Sequence, residues 1–258
     1  MKERVIWGAV ALAIFIPFLV MGGLPFQFLV GLLAMIGVSE LLRMRRLEIF
    51  SFEGALAMIG AFVLTVPLDS YLSFLPVDAS LSAYGIVIFM ILAGTVLNSN
   101  SYSFEDAAFP IASSFYVGIG FQNLVSARMA GIDKVLLALF IVWATDIGAY
   151  MIGRQFGQRK LLPSVSPNKT IEGSLGGIAS AIVVAFFFML FDKTVYAPHS
   201  FLVMLVLVAI FSIFGQFGDL VESSVKDSGK LIPGHGGILD RFDSMIFVFP
   251  IMHFFGLF

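Results

Sequence analysis

The sequence contains no cysteine, which excludes disulfides, thiolate metal sites and a cysteine nucleophile. Charge is also scarce: Asp, Glu, Lys and Arg make up 12% of the 258 residues, roughly half the share found in soluble domains. The formal net charge of −2 and a pI of about 5.9 give no reason to expect a nucleic-acid partner. Neither an internal repeat nor a low-complexity tract is evident. What the chain has in abundance is apolar. Hydrophobic residues reach 59%, with 29 phenylalanines among them, and the mean hydropathy is +0.99. A soluble chain of this length has too little interior to hide that much apolar surface, whereas a bilayer accommodates it.

A helix needs about 20 mostly apolar residues to cross the hydrocarbon core. Runs of this kind predict an all-α, polytopic transmembrane helical bundle of about nine spans. They lie near residues 5–22, 25–42, 54–76, 81–98, 107–125, 135–152, 174–191, 201–217 and 244–258. The first follows Lys2-Glu3-Arg4 like a secretory signal, but no small-residue cleavage site follows, so it is read as a retained span. The third either runs through Pro67 or ends there, leaving a short interfacial piece around Tyr71. Nine spans with a cytoplasmic N-terminus put twelve of the fifteen Lys and Arg residues in the cytoplasm. Only Arg128, Lys134 and Lys193 fall on the other side, as the positive-inside rule requires. The chain then divides into N-terminal transmembrane helices over 1–130 and C-terminal helices over 131–258, whose polar loops 153–173 and 218–243 share the cytoplasmic face.

Three polar clusters stand out. Asp146 lies near the end of the sixth span, where a carboxylate is costly unless it faces a partner or a wet cavity. Tyr150 and Arg154, at i+4 and i+8, share roughly one helix face with it. Either a neighbouring helix or Arg154 satisfies Asp146, or it lines a site. The second cluster runs from Gly153 to Lys160 and on through Ser166-Pro167-Asn168-Lys169-Thr170. Ser166 with Pro167 predicts a helix start, and the positive end of that helix beside Lys169 and Thr170 suits phosphate oxygens. Taken alone, these basic residues read equally well as topology signals.

The third cluster runs from Gly218 to Ser244. Asp219, Glu222, Ser223 and Lys226 fall on one face of a helix leaving the membrane, and Asp240, Asp243 and Ser244 repeat the pattern on the helix entering the last span. Pro233-Gly234-His235-Gly236-Gly237 between them permits a tight backbone path close to a ligand. His235 reads as either a phosphate-binding or basic group, or as part of a turn. The bland alternative is a salt-bridged loop pairing Asp240 and Asp243 with Arg241 and Lys230. Convergent carboxylates repel one another unless a cation separates them, and an all-oxygen donor set favours Mg²⁺ over zinc.

On these residues the sequence resembles the phosphatidate cytidylyltransferases, or CDP-diacylglycerol synthases. The resemblance is carried by Ser223 to Lys226, Lys226-Asp227, Gly234 to Gly237 and Asp240 to Asp243, supported by the Asp146 and Ser166–Thr170 segments. The sequence departs from the family pattern where Lys226 stands for two family lysines, and the residues between them, an arginine included, are absent. The resemblance implies transfer of CMP from CTP to phosphatidate, releasing pyrophosphate, with Mg²⁺ as cofactor. Asp219 and Asp240 would hold the metal, with Asp146 and Asp243 next. Lys169, Lys226 and Arg241 would bind phosphates, and Ser166, Asn168 and Thr170 would help place the nucleotide. Glu222, Ser223, His235, Gly236 and Gly237 would complete the substrate site. The protein would lie in a bacterial inner membrane with its site on the cytoplasmic face, and such a bundle suits a homodimer. Two other readings stand beside this one: a CTP-dependent polyprenol or lipid kinase, and an ion transporter. Carboxylates at span ends rather than at the midplane count against the transporter.

Overall fold

A computed structural model describes residues 13–97, 102–228 and 237–258, with the side chains of 226–228 outside that description. It is helical almost throughout. A helical segment over 13–21 (α1) precedes α2 (Gly23–Met44), α3 (Phe52–Thr65), a 3₁₀ turn at Leu68–Ser70, α4 (Ala79–Leu97), α5 (Phe104–Ala130) and α6 (Ile132–Phe156). A small hairpin, β1 (Lys160–Leu162) and β2 (Ser166–Thr170), leads into α7 (Ile171–Phe191), α8 (Phe201–Ser228) and α9 (Leu239–Phe254).

Five of these helices are long and apolar enough to cross a membrane: α2, α4, α6, α7 and Phe201–Val225 of α8. Helix α3 is apolar but has only 14 residues, short of the ~20 a crossing needs. By length and composition, then, the described residues do not account for nine crossings. The third expected span ends at Thr65, because Pro67 cannot donate the next helical hydrogen bond. Large apolar side chains point outward along the helices. Phe89 and Val96 on α4, Phe187 and Phe191 on α7 and Leu202 on α8 are all exposed, which is natural for an integral membrane protein and unfavourable in water.

The chain forms two compact units. The first comprises described residues up to 129 together with 237–239, and the second comprises 130–228 with 240–258. In the first, Phe26, Val30, Ala34, Val38 and Leu41 make a buried stripe on α2 at helical spacing, and α3 packs against both α2 and α4. Arg128, at the end of α5, donates to the carbonyls of Leu19 (2.6 Å) and Val20 (3.0 Å). In the second unit, α7 presents Gly173, Gly177, Ala181 and Ala185 to α6, so the two backbones come close. A Cβ on Gly177 would lie 2.7 Å from the Thr145 carbonyl oxygen. Thr145 in turn shares a 2.7 Å hydrogen bond with Ser212 of α8. Lys134, only 7% exposed, donates to the carbonyls of Thr194 (2.9 Å) and Val195 (2.8 Å). It thereby ties the first turn of α6 to the connection between α7 and α8. Arg128 and Lys134, two of the three cations expected on the sparsely charged side, are thus occupied by backbone carbonyls.

The Ser166-Pro167 segment corrects one expectation. It does not start a helix: Ser166–Thr170 is extended and pairs antiparallel with β1, in the register Lys160 to Thr170 and Leu162 to Ser166. The fixed φ of proline suits an extended residue in a two-stranded ribbon as well as it suits a first helical turn. Helix α7 begins five residues later, where Thr170 caps it by accepting from the Gly173 N–H at 3.1 Å. Glu172 locks the hairpin to this start. Its carboxylate accepts from the N–H groups of Gln158 and Arg159 and from Arg159 Nε, each at 3.1 Å. Replacing Thr170 with Val keeps the shape and removes the cap. The expected cost is about 1 kcal/mol of stability, read as a lowered unfolding midpoint in detergent.

Candidate functional site

A cavity of about 440 Å³ opens within the second unit. One wall is the α6 face that carries Asp146, Tyr150, Gly153 and Arg154; the others come from Asn168, Lys169 and Thr170 of β2, from Gly173 and Ser174 of α7, and from Gln216 and Asp219 of α8. The expectation that Asp146, Tyr150 and Arg154 share a helix face holds, and Arg154 donates to the Tyr150 hydroxyl at 3.4 Å. The first turn of α7 reaches the cavity, so the helix N-terminus facing it belongs to α7 and not to a helix starting at Ser166. Unpaired N–H groups at a helix start attract anions, and Lys169 and Arg154 add two positive charges to the same walls.

Asp219 links this cavity to a second feature. It forms an ion pair with Lys169, and on its other side it meets Glu222 and Asp243. Each of these three carboxylates offers an oxygen, and the oxygens lie within 4.8 Å of one another. Asp219 and Glu222 are one turn apart on α8, while Asp243 comes from α9. The close approach is made possible by Gly218, where a Cβ would stand 2.5 Å from the Asp243 carbonyl oxygen. Glu222 is only 4% exposed. At this spacing a pair of like charges repels by roughly 3 kcal/mol at an effective dielectric of about 20. Three carboxylate oxygens within 4.8 Å of one another form an all-oxygen donor set of the kind that a hard divalent cation takes.

The expected site residues do not all come together. Asp146, Asn168, Lys169, Thr170 and Asp219 come together around the cavity, and Asp219, Glu222 and Asp243 form the carboxylate cluster. Asp240 and Arg241 sit exposed in the first turn of α9. Asp240 is within electrostatic reach of Asp243 but is not one of the three clustered carboxylates. Ser166 and Ser223 are half-buried and do not line the cavity. Gly237 lies just before α9, while His235, Gly236 and the side chain of Lys226 fall outside the described residues. Sequence reasoning missed Gln216 and Ser174 at the cavity, where Gln216 Nε2 donates to the Ser174 backbone carbonyl at 3.4 Å. Only the i−3 spacing of Gln216 from Asp219 marked it, a weak signal on an apolar helix.

A cavity lined by Lys169, Arg154, Asp146 and Asp219, next to a carboxylate cluster that shares Asp219, suits a membrane enzyme that brings two anionic reactants together. The chain belongs to the cytidylyltransferase family, whose sequence profile matches residues 2–258. It is 42% identical over 261 residues to a phosphatidate cytidylyltransferase of Staphylococcus saprophyticus, with 98% of each chain covered. Proteins of the same name from Staphylococcus haemolyticus and Staphylococcus aureus are 41% and 39% identical, again with 98% of each chain covered.

Proposed function

We propose that this protein transfers CMP from CTP to the phosphate of phosphatidate, forming CDP-diacylglycerol and pyrophosphate for phospholipid synthesis. A phosphate oxygen of the lipid attacks the α-phosphorus of CTP, a new P–O bond forms, and the bond to the bridging oxygen of pyrophosphate breaks. The observation that carries this reading is the position of Asp219, common to a cation-lined cavity and to a three-carboxylate cluster, in a chain whose near full-length relatives bear that name. Asp219, Glu222 and Asp243 would hold Mg²⁺, with Asp146 and Asp240 close by. The ion would supply neutralising charge for phosphate oxygens. The chain's own groups do the rest. Lys169, Arg154 and the α7 N-terminus bind and orient phosphates, and Asn168 and Thr170 place the nucleotide. The attacking phosphate is already ionised at neutral pH, so positioning and electrostatics suffice without a strong general base. A site at the cytoplasmic end of the helices, in a bacterial inner membrane, gives soluble CTP and membrane-bound lipid access to one place.

The test is incubation of purified protein with labelled CTP, phosphatidate and Mg²⁺. CDP-lipid and pyrophosphate are the expected products, and chelation should abolish turnover until Mg²⁺ is restored. A phosphorylated lipid accompanied by CDP would instead make the protein a CTP-dependent lipid kinase.

A further inference from the structure

We infer that Glu40, on α2, is a positioning residue for this reaction: it caps the start of α9 and thereby sets where Asp240 and Asp243 stand. The inference rests on the metal reading proposed above. The first N–H groups of a helix lack partners within it, and a nearby Ser, Thr, Asn or Asp usually supplies one. Helix α9 has no such residue, because Gly237 and Ile238 precede Leu239. The acceptor comes instead from 198 residues earlier in the chain. Glu40 Oε1 accepts from the Ile238 N–H at 2.8 Å, and Oε2 accepts from the Leu239 N–H at 2.9 Å.

Both carboxylate oxygens are engaged, so orientation is fixed as well as distance. Hydrogen bonds from backbone N–H to a carboxylate are charge-assisted, and a negative group at a helix N-terminus is stabilised by the helix dipole. The approach depends on Gly237, since any Cβ there would run into the Glu40 carboxylate. Residues 237–239 belong with α2 in the first unit. Asp240 follows Leu239 directly, and Asp243 comes one turn later on the same helix. Without the cap, the first turn of α9 frays. A frayed turn lets the Asp243 carboxylate move away from Asp219 and Glu222. Glu40 therefore acts on the carboxylate cluster through the helix that carries one of its members.

The test uses the full chain in detergent, with Mn²⁺ as the probe, read by electron paramagnetic resonance, and hydrogen exchange at the Ile238 and Leu239 amides. Glu40→Ala should abolish protection of those amides and weaken Mn²⁺ binding about tenfold, the scale at which groups supporting a metal's ligands act. Glu40→Gln, which keeps one good acceptor, should fall between. Gly237→Ala, which displaces the carboxylate without deleting it, should weaken Mn²⁺ in the same direction and carries the test if Glu40→Ala folds poorly. Saturating Mg²⁺ should restore most of kcat in Glu40→Ala, which a general loss of fold would not allow. Unchanged Mn²⁺ affinity in Glu40→Ala, alongside a loss in Asp219→Asn, overturns the role of Glu40 alone. Unchanged affinity in both variants overturns the metal reading.

Discussion

Asp219→Asn is expected to lower CTP-dependent turnover by about 10²- to 10³-fold, the scale for deleting one preorganised electrostatic group, without unfolding the protein. The asparagine keeps the shape of the side chain and removes one charge from a place where three carboxylates meet. Lys169 loses its ion-pair partner at the same time. Because Asp219 and Lys169 are 36% and 27% exposed, solvent screens that pair, and its loss costs little stability. Relief of repulsion from Glu222 and Asp243 acts in the opposite direction. The unfolding midpoint should therefore hold or rise slightly while turnover collapses. Turnover within twofold of the unaltered chain would take Asp219 out of the site, and a large fall in midpoint would make its charge structural.

The second large effect is expected from Gly218→Val. A Cβ at this position would stand 2.5 Å from the Asp243 carbonyl oxygen and 3.0 Å from both the Ser244 Cα and the Phe247 ring. Two of these three obstacles are backbone and cannot rotate aside. Forcing extra volume into such a contact costs about 1–3 kcal/mol, and relief comes by moving α8 away from α9 where Asp219, Glu222 and Asp243 converge. A lowered unfolding midpoint should therefore be accompanied by a Mg²⁺ requirement raised at least about tenfold, as in other disruptions of groups that support metal ligands. Gly215→Ala, one turn earlier, provides the contrast. Its Cβ would come nearest to a Val248 methyl at 3.3 Å, which can give way, with Ser244 Cβ and a Val142 methyl at ordinary contact distances of 3.9 and 4.0 Å, so both measurements should change little. An equal loss in the two variants would refute the special role of the Gly218 contact.

The apolar runs were legible because a membrane helix satisfies its own backbone and advertises its length in one contiguous segment. The run at 135–152 became α6 over Ile132–Phe156, and that at 174–191 became α7 over Ile171–Phe191. The Asp146 face could be read for the same reason, since i, i+4 and i+8 positions lie together on any helix. Ser166-Pro167 misled because its residues fit either an extended strand or a helix start, and pairing with Lys160–Leu162 decided between them. The acidic partners of Asp219 were harder still. The motif put Asp240 ahead of Asp243, but it is Asp243 that clusters with Asp219 and Glu222, because which carboxylate meets α8 depends on how α9 is rotated.

The sequence by itself determined that this is a polytopic helical membrane protein, placed it in the cytidylyltransferase family, and marked three polar clusters where its chemistry is expected. Those properties reside in composition, local periodicity and short motifs, all of which are written along the chain. The tertiary structure alone decided that Asp219, Glu222 and Asp243 form the cluster, that the α7 N-terminus faces the cavity, and that Glu40 caps α9 across 198 residues. Each of these depends on the rotation and close approach of helices distant in sequence. Small residues such as Gly218 and Gly237 permit that approach, but the chain's order does not reveal which partner they admit.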